Sequence, residues 1–449
     1  MIELVNQSAS VLITCAVLYA CFTVSQARKR LPQALPPQDG MLFVFMVPCL
    51  NEEEVIGRTV QRLMSLPGPE KAILVIDDGS EDGTAAAVLA AGADNPNVWL
   101  LQRKLPNARK GKGAALNNAY QHLLNSNLLD GRNINDVVVA VVDADGRPDA
   151  NALVEVAPFF RDPKVGACQI GVRMYNRHEN FLARMQDIEF VVFTEMFQKS
   201  RNRTGSAGLG GNGQFTRLTA LASLGEEPWT DYLTEDLDLG IRMICQGWYN
   251  TFCPTTFVNQ QAVTDFTRLV RQRTRWFQGQ LQCWNRIPML IRAPLPFRVI
   301  MDLVYALLGA MIMVLMSIFT IAFSGITLIL ALRAYQYTSV SWVVGRPLQW
   351  LTAYCFGFAL SWTYAYIYWM REPDRKFWRI LVDTHIFTFY VYFWLISGLR
   401  AIGRIITKQN GWAKTARSAD TPTEATTTAA PMTPAAYQSP VTNQIPQAA

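Results

Sequence analysis

The sequence predicts an α/β domain on a parallel-rich sheet, followed by transmembrane and interfacial helices. Three observations carry this reading. From residue 42 to residue 142, short apolar runs alternate with amphipathic segments, and that βαβα order implies parallel strands joined by right-handed crossovers. Hydrophobic residues fill 50% of the 449 positions and charged ones only 17%. The apolar excess is gathered into long blocks, as in a membrane protein. Basic residues cluster beside those blocks, where the positive-inside rule places them, so the net charge of +6 is no nucleic-acid footprint. The eight cysteines contain no Cys-x-x-Cys pair and read as reduced thiols. Three histidines are too few for a histidine-rich metal site.

In chain order, residues 9–25 are apolar and just long enough to span a bilayer. Their cations, Arg28-Lys29-Arg30, follow rather than precede them. That order reads as an uncleaved anchor over residues 1–30, with the N-terminus outside. A Pro-rich linker leads to the domain at 42–285. Strands are expected at Leu42–Val47, Ala72–Ile76, Val98–Leu101 and Asp136–Val142. Helices are expected at Glu52–Leu66, Asp82–Ala91 and Gly113–Leu124. The strand ends are polar: Asn51-Glu52, Asp77-Asp78 and Asp143-Ala144-Asp145. In an open α/β sheet ligands gather at that edge. Strand alternation would point Asp143 and Asp145 the same way, a pair suited to Mg²⁺ or Mn²⁺ with phosphate oxygens completing the shell. A solvated turn is the other reading, because Gly146 comes directly after. Asp77 and Asp78 are placed to accept hydrogen bonds from a base or ribose. The segment 109–113, with Lys112, precedes a helix and can meet a diphosphate or form a solvated loop.

Further on, residues 208–217 are dense in glycine, which lets backbone approach a ligand closely. Asp236 stands in the first turn of an expected helix. A carboxylate is stabilised there, and it can also act as the base for an acceptor hydroxyl. On the helix expected at 268–285, Gln272, Arg275, Trp276 and Gly279 share one side. Arg275 can hold a leaving diphosphate bidentately, and Trp276 offers a flat face to a sugar ring.

The motifs Pro48…Asn51-Glu52, Asp77-Asp78-Gly79-Ser80, Gly111-Lys112…Ala115-Leu116-Asn117 and Asp143-Ala144-Asp145 resemble family 2 glycosyltransferases. Thr234-Glu235-Asp236 with Gln272-x-x-Arg275-Trp276 resembles their processive branch: the cellulose, hyaluronan, chitin-oligosaccharide and poly-N-acetylglucosamine synthases. The resemblance implies a Rossmann-like (GT-A) cytosolic domain, a nucleotide-sugar donor and Mg²⁺ or Mn²⁺ as cofactor. It implies substrate contacts at Asn51, Glu52, Asp77, Asp78, Lys112, Asp143, Gly211 and Asn212, and metal contacts at Asp143 and Asp145. Asp236 would be the base, beside Thr234 and Glu235. Gln272, Arg275 and Trp276 would bind pyrophosphate and the acceptor end. Trp412, Lys414, Thr415 and Arg417, within 406–417, resemble the loop that closes over the nucleotide in those synthases.

The expected function is an inverting, processive synthase embedded in the membrane, extending a β-linked polysaccharide and secreting it. UDP-glucose is ahead of UDP-N-acetylglucosamine, because Gly211-Asn212-Gly213-Gln214 differs from the Cys- or Ala-containing versions of hyaluronan and chitin enzymes. The alternative is a non-processive enzyme that adds one sugar to a membrane lipid. Three apolar blocks come after the domain: Arg298–Leu332, Leu348–Met370 and Ile380–Leu399. The first two are expected to cross. The third, flanked by cations, would lie along the cytosolic interface. Four crossings are the other solution. Residues 418–449, rich in Thr, Pro and Ala, are expected to be disordered.

Overall fold

A computed structural model describes residues 40–93, 95–337 and 347–409, together with Ser25. The expected anchor at 1–30 (Ser25 apart), the segment from residue 410 to 417 and the tail at 418–449 lie outside these residues.

The first half of the domain matches the sequence pattern closely. Strands β1 (Leu42–Cys49), β2 (Glu70–Asp77), β3 (Val98–Gln102) and β4 (Val137–Val141) pair in parallel. Helices α1 (Glu53–Ser65), α2 (Thr84–Gly92) and α3 (Lys112–Leu124) connect them. β1 is apolar on both faces because both are covered. Phe43, Phe45 and Val47 pack with Ile56, Val60 and Leu63 of α1 and Val88 of α2. Leu42, Val44 and Met46 face the other way, onto Leu116, Ala119 and Leu123 of α3.

The sheet has eight strands in the order β3-β2-β1-β4-β7-β6-β8-β5, adding β5 (Arg147–Pro148), β6 (Val165–Met174), β7 (Gln214–Arg217) and β8 (Tyr249–Gln260). The chain leaves β1 for β2 on one side and returns to β4 on the other. That reversal opens a crevice at the strands' C-terminal edge. β7 runs antiparallel between β4 and β6, with Val141 opposite Gln214. Its start therefore lies beside the end of β4, and residues 211–213 arrive next to Asp143.

One expectation fails here. β4 ends at Val141, so Asp143, Ala144 and Asp145 lie in a turn closed by the Gly146 N–H to the Asp143 carbonyl at 2.8 Å. The pleat does not set the direction of the two carboxylates. The turn propensity of Asp-Gly has won over continued strand.

The second half of the chain supplies α4 (Phe181–Phe193), α5 (Glu235–Cys245) and α6 (Phe266–Gln282). Beyond these lie α7 (Phe297–Tyr337), α8 (Pro347–Arg371), α9 (Phe377–Tyr390) and α10 (Phe393–Ile406). Among the described residues, two stretches are long and apolar enough to cross a bilayer. They are Phe297–Ala322, with mean hydropathy 2.4, and Phe377–Ile406, with 1.4. The second is broken between α9 and α10. Ile380 and Phe387 of α9 pack on Met185 and Ile188 of α4, and Phe393 packs on Leu269 and Val270 of α6.

Polar ties also join the domain to α8. Arg173 reaches Asp187 at 2.9 Å and Glu372 at 2.6 Å, and the Tyr368 hydroxyl donates to Asp187 at 2.7 Å.

Candidate active site

The loops after β1 and β2 are knitted together by the residues that resemble nucleoside ligands. Asn51 has φ of 53°, a left-handed conformation that asparagine tolerates. Its N–H donates to Ser80 Oγ at 2.9 Å, and its Oδ1 accepts the Glu81 N–H at 2.9 Å. The Glu52 N–H donates to Thr84 Oγ1 at 2.8 Å, and Asp77 accepts the Ser80 N–H at 2.8 Å. Asp78 is buried and bound to the Arg103 guanidinium. Burial pushes the Asp78 carboxyl up, against the pull of the Arg109 N–H and the Arg103 charge. Arg103, which the sequence reading did not single out, is 25 positions away with no local signal.

The centre of the site is Lys112, the first residue of α3. Its Nζ donates to Asp143 Oδ1 and to the Gly211 carbonyl, each at 2.6 Å. Burial alone would lower its pKa. The carboxylates of Asp143, Glu235 and Asp236 outweigh burial and raise it. The Asp143 N–H donates to Asn212 Oδ1 at 3.2 Å, and Asn212 Nδ2 donates to Gln260 Oε1 at 2.9 Å. A Cβ on Gly211 would lie 2.9 Å from Lys112 Nζ and 3.3 Å from Asp236 Oδ2. A larger residue there would push on both the cation and that carboxylate. Lys112, Asp143, Gly211, Asn212, Glu235 and Asp236 thus converge, although they span more than 120 positions.

Glu235 and Asp236 open α5. Glu235 is buried, and burial together with the Asp236 charge pushes its pKa up to about 7, against Lys112 and Arg275. Burial also raises Asp236, partly offset by the Leu237 N–H, which donates to Oδ1 at 2.7 Å, and by Lys112. Two carboxyls this close titrate as a pair. Two residues on, Asp238 is wholly buried and structural. It accepts from Thr230 at 2.9 Å, Arg242 at 2.8 Å and Arg286 at 2.6 Å.

Helix α6 lies against this pair. A Cβ on Gly279 would come within 2.7 Å of the Thr234 backbone nitrogen and Oγ1, so glycine permits the contact. Arg275 feels both Glu235 and Asp236, and its Nε is buried without a hydrogen-bond partner among the described residues. Gln272 Oε1 accepts from Arg273 at 2.8 Å. The Arg273 guanidinium sits 4.0 Å from the Trp276 ring centre, and Phe190 meets that ring edge-on at 6.0 Å. Arg273 is also paired with Glu189 at 2.8 Å, a carboxylate that receives Tyr390 and Trp394. The sequence reading missed this arginine and its partner.

Asp143 and Asp145 offer hard oxygen donors from one turn, which fits Mg²⁺ or Mn²⁺. Among the described residues no group of three or more His, Cys, Asp or Glu side chains forms a complete cage. A cation here would complete its shell from substrate oxygens and water. Trp412, Lys414, Thr415 and Arg417 lie outside the described residues.

Known proteins resemble this chain in part of its sequence and in its fold. The chain is 34% identical over 241 residues to the beta-monoglucosyldiacylglycerol synthase of Synechocystis sp., covering 53% of this chain and 47% of that protein. It is 27% identical over 238 residues to the poly-beta-1,6-N-acetyl-D-glucosamine synthase of Staphylococcus aureus, covering 52% and 53%. The chain thus spans about half the length of the curated relatives it matches. Among solved structures, a mannosyltransferase from Pyrobaculum calidifontis, in complex with GDP-Man and Mn²⁺, superposes with a TM-score of 0.57 at 18% identity. The match covers 87% of this chain and 99% of that one. The fold is that of the GT-A glycosyltransferases, as the motifs imply. Residues 37–279 match the family described as "Glycosyltransferase like family 2", and the chain belongs to that family of sugar-transferring enzymes.

Proposed function

We propose that this enzyme transfers one hexosyl group from a nucleoside-diphosphate sugar to a hydroxyl of a membrane lipid, with inversion. The observation that carries this is the position of the carboxylate pair. Glu235 and Asp236 meet Lys112 and Gly211 on one side and α6 on the other. The far face of α6 packs into apolar helices, with Phe277 against Ala310, Val314 and Ala401. An acceptor held in the bilayer would meet the donor there. The higher identity to a glucosyl-lipid synthase than to a polymer synthase supports the same acceptor class.

Asp236 would take the proton of the acceptor hydroxyl as its oxygen attacks the anomeric carbon from the face opposite the diphosphate. Lys112 and Arg275 would hold the departing diphosphate, Arg275 through its buried Nε. Asp77 and Asp78 would face the nucleoside. A divalent cation held by Asp143 and Asp145 would supply further neutralisation of the diphosphate charge. UDP-glucose is the favoured donor, with UDP-N-acetylglucosamine second.

The Gln272-x-x-Arg275-Trp276 segment favours a second reading, in which the acceptor is a growing polysaccharide that is extended and secreted. Against it, one face of Trp276 carries Arg273, which narrows its use as a platform for sugar rings. On topology, α7 would cross and α8 would return beside it, although α8 is not one of the two described stretches apolar enough by hydropathy. The α9–α10 stretch, which is, would lie at the cytosolic interface because it is broken and packs on α4 and α6. The catalytic domain would face the cytosol. Membranes holding the enzyme, a labelled UDP-sugar and diacylglycerol test the proposal. Label in a one-sugar lipid, lost with EDTA and restored by Mn²⁺ or Mg²⁺, is expected. Label in glycanase-sensitive polymer would favour the second reading.

A further inference from the structure

We infer that Gln198 and Gln169 are positioning residues of the reaction. Their amides clamp the backbone of the Gly208–Asn212 loop, and that loop seats Lys112 on Asp143 and forms the wall facing Asp236. This rests on the reading of Asp236 as the base.

The loop has little of its own to hold it. Gly208, Gly210 and Gly211 carry no side chains, and glycine has the most backbone freedom to lose. Two buried carboxamides supply what is missing. Gln198 Nε2 donates to the Gly208 carbonyl at 2.7 Å, and its Oε1 accepts the Gly208 N–H at 2.9 Å. Gln169 Oε1 accepts the Gly210 N–H at 2.9 Å, and its Nε2 donates to the Asn212 carbonyl at 2.8 Å. Each glutamine is 4% exposed. Alternate residues of the loop are thus fixed, and the residue between them, Gly211, turns its carbonyl to Lys112. Asn212 then takes the Asp143 N–H. A loop displaced by a fraction of an ångström would move the cation of the donor end and the wall before Asp236 together.

The seat of Gln198 is itself irregular. One helical run from Phe181 to Arg201 contains a single π-turn at Thr194–Gln198. The extra residue rotates the next helical turn by about 100°. π-turns of this kind recur at functional sites. The same turn carries Glu195, which accepts from Arg371 Nε of α8 at 2.9 Å. Arg371 also reaches the Pro254 carbonyl at 2.8 Å. The end of a membrane-side helix therefore braces the turn that aims Gln198 at the loop.

Only a glutamine-length amide gives both halves of each clamp. Gln198→Glu and Gln169→Glu keep length and acceptor but set a carboxylate against a carbonyl. Gln198→Met keeps bulk and removes both bonds. In the full chain in lipid vesicles, these variants should lose kcat on the order of 100-fold. UDP affinity should weaken and donor KM rise too, because Lys112 moves with the loop, but far less than kcat falls. Glu195→Gln should fall between. Hydrogen exchange of the wild type should show slow Gly208 and Gly210 amides, and the variants fast exchange confined to that loop. Fast exchange at both amides in the wild type would overturn the clamp. So would an unchanged kcat, or exchange spreading through the whole sheet. Exchange needs no turnover: an Asp236→Asn variant that still transfers sugar would sink the base assignment and leave the clamp to be judged alone.

Discussion

Asp236 carries the proposed chemistry, and its neighbours set when it can work. Replacing it by Asn should lower kcat by about 10²–10⁴-fold while UDP still binds, as read by calorimetry beside the rate assay. Burial raises both Glu235 and Asp236, Glu235 to about 7. A base acts only when ionised, and burial raises Asp236, so activity should be lost on acidification already above the ordinary carboxylate range, with apparent values that belong to the pair. Stability runs the other way. From 4.5, the ordinary value of Glu235, up to about 7, the folded protein keeps a proton that the unfolded chain releases. The contribution of Glu235 is therefore present below that window and lost as pH rises through it. Melting curves of Glu235→Gln should be flatter in that range than wild type. At this scale the sequence was informative about identity and poor about occupation. Asp143 and Asp236 stood out in their motifs. That Asn51 binds the loop after β2, that Asp78 meets Arg103 and that Arg273 meets Glu189 depends on contacts between distant segments.

Helix packing decides whether those residues meet. Gly279 lets α6 touch Thr234, just before the carboxylate pair. Gly279→Ala should force the helix away and cost on the order of 100-fold in kcat, because small misplacements of reacting groups are expensive. Donor affinity measured on the same variant should weaken less than kcat, because Arg275 on the same helix also shifts. The first four strands and three helices were legible because their apolar runs are long and their connections are local. β7 was not. It is four residues long, comes after a glycine run and pairs antiparallel between strands that precede it in sequence. No period in so short a segment reveals its partner. The pleat expectation for Asp143 and Asp145 failed at the same place, where Gly146 already signalled a turn.

Across the whole molecule, the sheet domain and the apolar helices are bound by buried charge as well as by packing. Asp187 is wholly buried. It accepts from Arg173, from the Met174 N–H at 2.7 Å and from Tyr368 of α8. Asp187→Asn should leave the Arg173 charge without its main partner and destabilise the protein by about 3–5 kcal/mol. Thermal unfolding in detergent reads this as a lowered Tm. The apolar blocks were visible in composition. Which of them rest on the domain was not, because hydropathy does not distinguish lipid from a protein face. Single transfer to a lipid is tested most plainly by product length, from full-length enzyme in vesicles with diacylglycerol and UDP-[¹⁴C]glucose. Lipid carrying one glucose is expected, absent with Asp236→Asn. Polymer, or lipid carrying many sugars, would contradict the proposed function.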